Sequence, residues 1–125
     1  MYRVCVRKDF IAQHFLIGGD WGAENQLHSH HYFLELELSG EVLDHHQYLV
    51  DIVEIEDHLH TLIGYYREKT LNDLPEFIDT NPSLERFSRL CCENLAGKIQ
   101  TATIHGVTVR LWEDQNAWAG YSVER

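Results

Sequence analysis

The sequence predicts an α+β fold in which helices pack on one face of an antiparallel sheet. Two observations predict it. Apolar and polar residues alternate along 31–40 and again along 103–113, and between these stretches, from Val53, the apolar spacing lengthens to three and four residues. Strands, then helices, then strands is the order that gives segregated layers rather than βαβ crossovers. With 125 residues the chain is expected to form one domain, 1–125, large enough to bury a single core without covalent staples.

The elements follow in order. Tyr2 to Arg7 alternates weakly and reads as a strand. "FIAQHFLI" (10–17) is apolar, rich in aromatic and β-branched residues, and is stopped by Gly18-Gly19, so it reads as a second strand. In "HYFLELELSG" (31–40), Phe33, Glu35, Glu37 and Ser39 share one face while Leu34, Leu36 and Leu38 share the other. "EVLDHHQ" (41–47) reads as a turn and hairpin partner. Ile55, Leu59, Leu62, Ile63 and Tyr66 make 53–66 an amphipathic helix. In "TNPSLE" Asn81 suits a helix cap, Pro82 the first helical position and Glu85 the first turn. Leu84, Phe87, Leu90/Cys91 and Leu95 form that helix's apolar stripe, and Gly97 suits its stop. Val107, Val109 and Leu111 then line one face of a strand, and Trp118 to Val123 suits a short last one.

Composition narrows the function. A formal net charge of −10 argues against nucleic acid or an anionic membrane as partner, because both reward basic surfaces. No apolar run approaches the length of about 18 residues that spans a bilayer, and the start of the chain carries no signal-peptide pattern. Cys5, Cys91 and Cys92 form neither a CxxC motif nor an even framework, which suits reduced thiols. A cytoplasmic protein is expected.

Chemistry concentrates in "QLHSHHY" (26–32). On a strand, residues two apart point the same way, so His28 and His30 share a face, separated by about 7 Å of chain. Two imidazoles so placed can converge on one ion, and a catalytic zinc takes three protein ligands and keeps a fourth position open. The third ligand must come from elsewhere. His14, a histidine among apolar neighbours in "FIAQHFL", is the best candidate. Taken alone, an HxH pair on a strand is more often an ordinary surface pair, and others among the nine histidines, such as His45, His46, His58 and His60, suit a solvated surface.

These motifs carry a family resemblance. Phe10, Ala12 and His14 as "F-x-A-x-H", followed by His28, His30 and Tyr32 as "H-x-H-x-[YF]", resemble the 6-pyruvoyl-tetrahydropterin synthase and 6-carboxytetrahydropterin synthase family. "YLVDI" (48–52), "LNDLPEF" (71–77), "NPSLE" (81–85) and "VTVRLWE" (107–113) resemble further family motifs in collinear order over nearly the whole chain. The resemblance implies the tunnelling fold, a four-stranded antiparallel sheet with two helices on one face. It implies that three subunits join into a barrel and that two trimers stack as a homohexamer. It also implies zinc held by His14, His28 and His30, a pterin substrate anchored by Glu113 at a subunit interface, and substrate contacts at Ser83 and Glu85. The chemistry of the anchor is sound. A pterin presents a ring N–H beside an amino group, and one carboxylate can accept both.

Two positions depart from the family. Its catalytic cysteine, four residues before the first histidine of HxH, is here Glu24. A glutamate there resembles the subgroup that cleaves dihydroneopterin triphosphate to 6-hydroxymethyl-dihydropterin. The family's "LDHxxLN" supplies an Asp-His pair, and in this register Arg67 and Glu68 take its place. Asp57-His58 lies about ten residues too early to replace it. The leading expectation is a zinc-dependent lyase that cleaves a pterin side chain with Glu24 as general base. The alternative from another class is a ligand-binding paralogue that kept the metal and the ring anchor and lost turnover.

Overall fold

In the computed structural model, which describes residues 1–125, β1 (Tyr2–His14) and β2 (His28–Gly40) form a long antiparallel ribbon. They pair without a slip from Tyr2↔Gly40 to His14↔His28. β3 (Gly106–Trp112) pairs with β2, and β4 (Trp118–Glu124) pairs with β3, giving one antiparallel sheet of order β1-β2-β3-β4. Two helices, α1 (Ile52–Tyr66) and α2 (Leu84–Lys98), lie on one face. The predicted architecture is the observed one. No helix is long and apolar enough to cross a membrane.

Alternation explains which face is covered. Even-numbered residues of β1 and β2 and odd-numbered residues of β3 turn toward the helices. Phe10, Ala12, Tyr32, Leu34, Leu36, Leu38, Val107, Val109 and Leu111 are buried there. They meet Ile55, Leu59, Leu62, Ile63 and Tyr66 of α1, as the periodicity predicts, and Phe87, Cys91, Cys92 and Leu95 of α2. All three cysteines are free. The other face carries a half-buried charge ladder. Glu35 lies 3.9 Å from Arg7 and 3.7 Å from Arg110, and Arg110 lies 3.3 Å from Glu37.

Four local expectations are corrected. The first two predicted strands are one, because Arg7 and Asp9 fall on the uncovered face and keep the alternation unbroken through the charges. Residues 15–17 lie outside it. "EVLDHHQ" is a turn but pairs with no strand; Asp44 Oδ1 accepts from the backbone N–H groups of His46 and Tyr48, and β3 is the neighbour of β2 instead. The cap of α2 is Ser83, whose Oγ accepts from Arg86 N at 3.2 Å, and not Asn81. Gly97 lies inside α2. The helix is closed by Arg125, whose guanidinium donates to the carbonyls of Ala96, Ile99 and Ile104.

Candidate metal centre

At one end of the covered face the apolar rows give way to histidine. His14 and His28 are register partners, and His30 lies across from Ala12, so all three point to the helix side just past the core. Their ring centroids are 4.5, 4.8 and 4.8 Å apart. His14 is 4% exposed. Burial, aided by the charges that His30 and His28 can carry, pulls its pKa down to about 4, so the ring is neutral near pH 7.

The Nε2 atoms of His14, His28 and His30 are all buried and have no hydrogen-bond partner. Buried polar atoms are rarely left so, because each unsatisfied one costs about 1–3 kcal/mol. The opposite nitrogens of two rings are committed. His28 Nδ1 lies 2.7 Å from the Gln26 carbonyl, which only accepts, so Nδ1 carries a proton and Nε2 is the nitrogen left to face the cluster. His14 Nδ1 lies 3.3 Å from the Tyr32 hydroxyl, which occupies that nitrogen and leaves Nε2 as the one turned toward the other two rings. Burial pushes the Tyr32 phenol well above its ordinary pKa, so it stays protonated. Three converging ring nitrogens, two with an outer partner on the far nitrogen, fit a zinc-like cation, which neutral imidazoles would bind by their lone pairs.

Carboxylates surround the trio. Glu24 sits in a 3-10 turn, Gly22–Asn25, that begins at a left-handed glycine (Gly22, φ +64). Its Oε2 lies 2.9 Å from His28 Nε2, off the direction that a hydrogen bond requires. Ligand atoms of His14, Glu24, His28 and His30 all lie within 4.8 Å of one another. Glu113 follows the last residue of β3, and its Oε2 lies 3.8 Å from His30 Nε2. A cleft of about 220 Å³ is lined by His14, Leu16, Glu24, Ser83, Leu84, Glu85 and Glu113. The predicted site residues therefore meet in one place. A larger cavity, about 490 Å³, lies beside the start of α1 among Asp44, His46, Tyr48 and Val50 to Val53, away from these residues.

Three asparagines to which the sequence alone assigns no functional role hold this cleft's wall. Asn72 accepts from Phe15 N at 3.0 Å and donates to Phe15 O at 2.9 Å. Asn81 does the same to Ile17, at 2.7 and 3.1 Å. Each side-chain amide stands in for a neighbouring strand's peptide. Asn25 donates to Leu16 O and Gly19 O and accepts from Trp21 N, while Leu16 N donates to Glu24 O at 2.9 Å. The chain from β1 to Glu24 is thereby stitched to the body. The signal available in sequence is the place of Asn72 in "LNDLPEF" and of Asn81 in "NPSLE", where Asn81 reads as a cap. Tyr32, behind His14, stands in the H-x-H-x-[YF] motif, and its role as partner to His14 Nδ1 emerges only in the fold.

Arg67 and Glu68 are exposed. Glu68, at φ +62, donates its N–H to Ile11 O, and Gln13 N donates to Lys69 O, so this segment runs along the outer edge of β1.

A family model described as 6-pyruvoyl tetrahydropterin synthase matches residues 3–124. No curated protein sequence matches the chain. Among solved structures, the 6-pyruvoyltetrahydropterin synthase of Plasmodium vivax is similar with TM-score 0.82 at 13% identity, over 99% of this chain and 98% of that one. The same values hold for a catalytic-residue mutant of it in which a glutamate is replaced by alanine. The 6-pyruvoyl tetrahydropterin synthase of Caenorhabditis elegans gives 0.76 at 19% identity, over 100% and 97%.

Proposed function

The chain belongs to the 6-pyruvoyl tetrahydropterin synthase family, and from that premise we propose that it is a zinc-dependent pterin-processing lyase that cleaves the side chain of dihydroneopterin triphosphate or a close relative. The observation that carries this reading is the set of three buried, unpartnered Nε2 atoms at His14, His28 and His30 with Glu24 beside them. In this reading zinc, when bound there, acts as a Lewis acid that lowers the pKa of a substrate hydroxyl.

Glu24 is the general base. Its carboxylate is held in reach of the trio by the pinned backbone of residues 16–25. A carboxylate, with an ordinary pKa near 4.3, is a weaker base than a thiolate, whose thiol titrates near 8.5. It suits a hydroxyl proton better than a carbon-bound one. Loss of the proton from the hydroxyl on the second side-chain carbon turns its O–H electron pair into a new C=O there. The bond between the first and second carbons breaks, and its electron pair passes into the ring C=N. The first carbon takes up the proton held by Glu24, leaving the second and third carbons as an aldehyde that keeps the triphosphate. The expected pterin product is 6-hydroxymethyl-dihydropterin. That the catalytic residue of the Plasmodium vivax enzyme is a glutamate supports the assignment. Glu113, 34% exposed at the rim, accepts from the pterin's ring N–H and amino group. Ser83 and Glu85 line the substrate's path; the Ser83 oxygen already caps α2, so toward substrate it acts by its O–H.

The cleft is small for a whole pterin, since ligand sites usually enclose about 300–1,000 Å³. Subunits completing it fit a homohexamer of two trimers, with the edge of β4 paired between copies to the part of β1 before Ile11, beyond which the 68–70 segment already occupies the β1 edge. Arg67 and Glu68, standing where the family has its Asp-His pair, favour slow turnover and are the reason to keep a second reading, a pterin-binding paralogue.

Incubation with dihydroneopterin triphosphate and mass spectrometry of the products tests the proposal. A main product of 6-pyruvoyl- or 6-carboxytetrahydropterin would exclude the cleavage role of Glu24. Tight binding without reaction would establish the paralogue. A stable monomer in light scattering at micromolar concentration would refute the shared site.

A further inference from the structure

Glu24 and the three histidines crowd four potential ligand atoms around one point. Three imidazole nitrogens and a carboxylate oxygen, all atoms that can ligate a metal, lie within 4.8 Å of one another. No proton is shared among them by a hydrogen bond, although Glu24 Oε2 is only 2.9 Å from His28 Nε2. The His28 proton is committed on the other side of the ring, to Gln26 O at 2.7 Å. Nitrogen and oxygen acceptors brought this close are stabilised by a cation between them. A tetrahedral zinc site with ligand distances of about 2.0–2.2 Å has edges of about 3.4 Å, so small side-chain rotations close this set.

We propose that Glu24 is a displaceable fourth ligand: its carboxylate completes the site of His14, His28 and His30 when no substrate is bound and leaves it when substrate oxygens arrive. This rests on the metal reading above and deepens it. Two features suit the role. The backbone of Glu24 is fixed, through Leu16 N to Glu24 O and through Asn25. Its side chain is 52% exposed and free to swing about that fixed point. Glu113 is the weaker candidate, at 3.8 Å from one histidine only, and stays available for the ring. Displacement would release the base at the moment when the substrate hydroxyl takes its place, so the resting site is closed and the working site armed.

The test is metal titration of the full chain, stripped of metal, with chelator competition for zinc and visible spectroscopy of the cobalt(II) form. Glu24→Ala and the isosteric Glu24→Gln are expected to weaken zinc binding by about 10–100-fold and to change the cobalt spectrum. Neopterin added to wild-type cobalt protein is expected to move its spectrum toward that of Glu24→Ala. If both Glu24 variants keep wild-type affinity and spectrum while His28→Ala loses the metal, Glu24 is not a ligand and the histidine centre stands. If His28→Ala also keeps the metal, the centre itself is wrong and this inference falls with it.

Discussion

Leu36 and His30 lie on the same strand and the same face, three alternations apart, yet their surroundings differ in kind. Leu36 is fully buried among the apolar residues of the sheet and helices. His30 presents a buried nitrogen with no partner, beside two more like it. One end of the covered face is packed to satisfaction, and the other is left with ring nitrogens turned toward a common point. The sequence alternation that builds the core runs on without a break into the site. What changes is the overlying cover, which ends at Pro82 and the cap of α2. Stability is thus concentrated in the middle of the sheet, and an unmet demand, which a ligand can satisfy, at its end.

Substitutions at the two ends should separate cleanly. Leu36→Ala is expected to lower unfolding stability by about 2–5 kcal/mol in denaturant titrations while leaving zinc stoichiometry unchanged. Loss of metal in that variant would mean that the two regions are not independent.

The metal-free site should also confer a pH dependence that the core does not. In the unfolded chain His14 takes up a proton below its ordinary value of 6.5, whereas in the fold it resists protonation down to about 4. Between those values the unfolded state binds more protons, so stability falls as pH drops from 6.5 toward 4. The full loss is about 3 kcal/mol. Thermal melts of the stripped protein across that window measure it, and His14→Leu should flatten the profile.

Glu113→Ala is expected to weaken neopterin binding roughly 30- to 150-fold, about 2–3 kcal/mol, with zinc retained. Calorimetry decides it, and an unchanged affinity would return Glu113 to an ordinary rim carboxylate. Asn81→Ala removes two hydrogen bonds from the Ile17 backbone and should cost about 1–2 kcal/mol. Hydrogen exchange should report the loss around residues 15–25 rather than in the sheet.

The smallest effect has the opposite sign. His30→Leu replaces an unsatisfied buried nitrogen by an apolar group and is expected to stabilise the metal-free protein by about 1 kcal/mol while abolishing metal binding. A destabilised variant would show that the His30 ring is held by contacts of its own.

The sequence by itself determined what local periodicity can carry. Alternation located the sheet faces in 31–40 and 107–111, and helical spacing picked out the buried side of α1 residue by residue. The HxH spacing likewise put His28 and His30 on one face, because a strand repeats every two residues whatever it pairs with. Tertiary structure decided the rest. That His14 faces His28 depends on a register held without slip over the whole β1–β2 ribbon, which no window of sequence contains. The charges at 7–9 read as a strand break until their side chains have an uncovered face to occupy. Asn81 reads as a cap because its true partner, the Ile17 backbone, is 64 residues away, and Arg125 closes α2 from the far end of the chain. Glu24, Ser83, Glu85 and Glu113 share a cleft only because α2 and the loop after β1 pack over the same end of the sheet. Propensity and periodicity act between near neighbours in the chain, whereas convergence of a site depends on pairing and packing between segments that the chain itself keeps far apart.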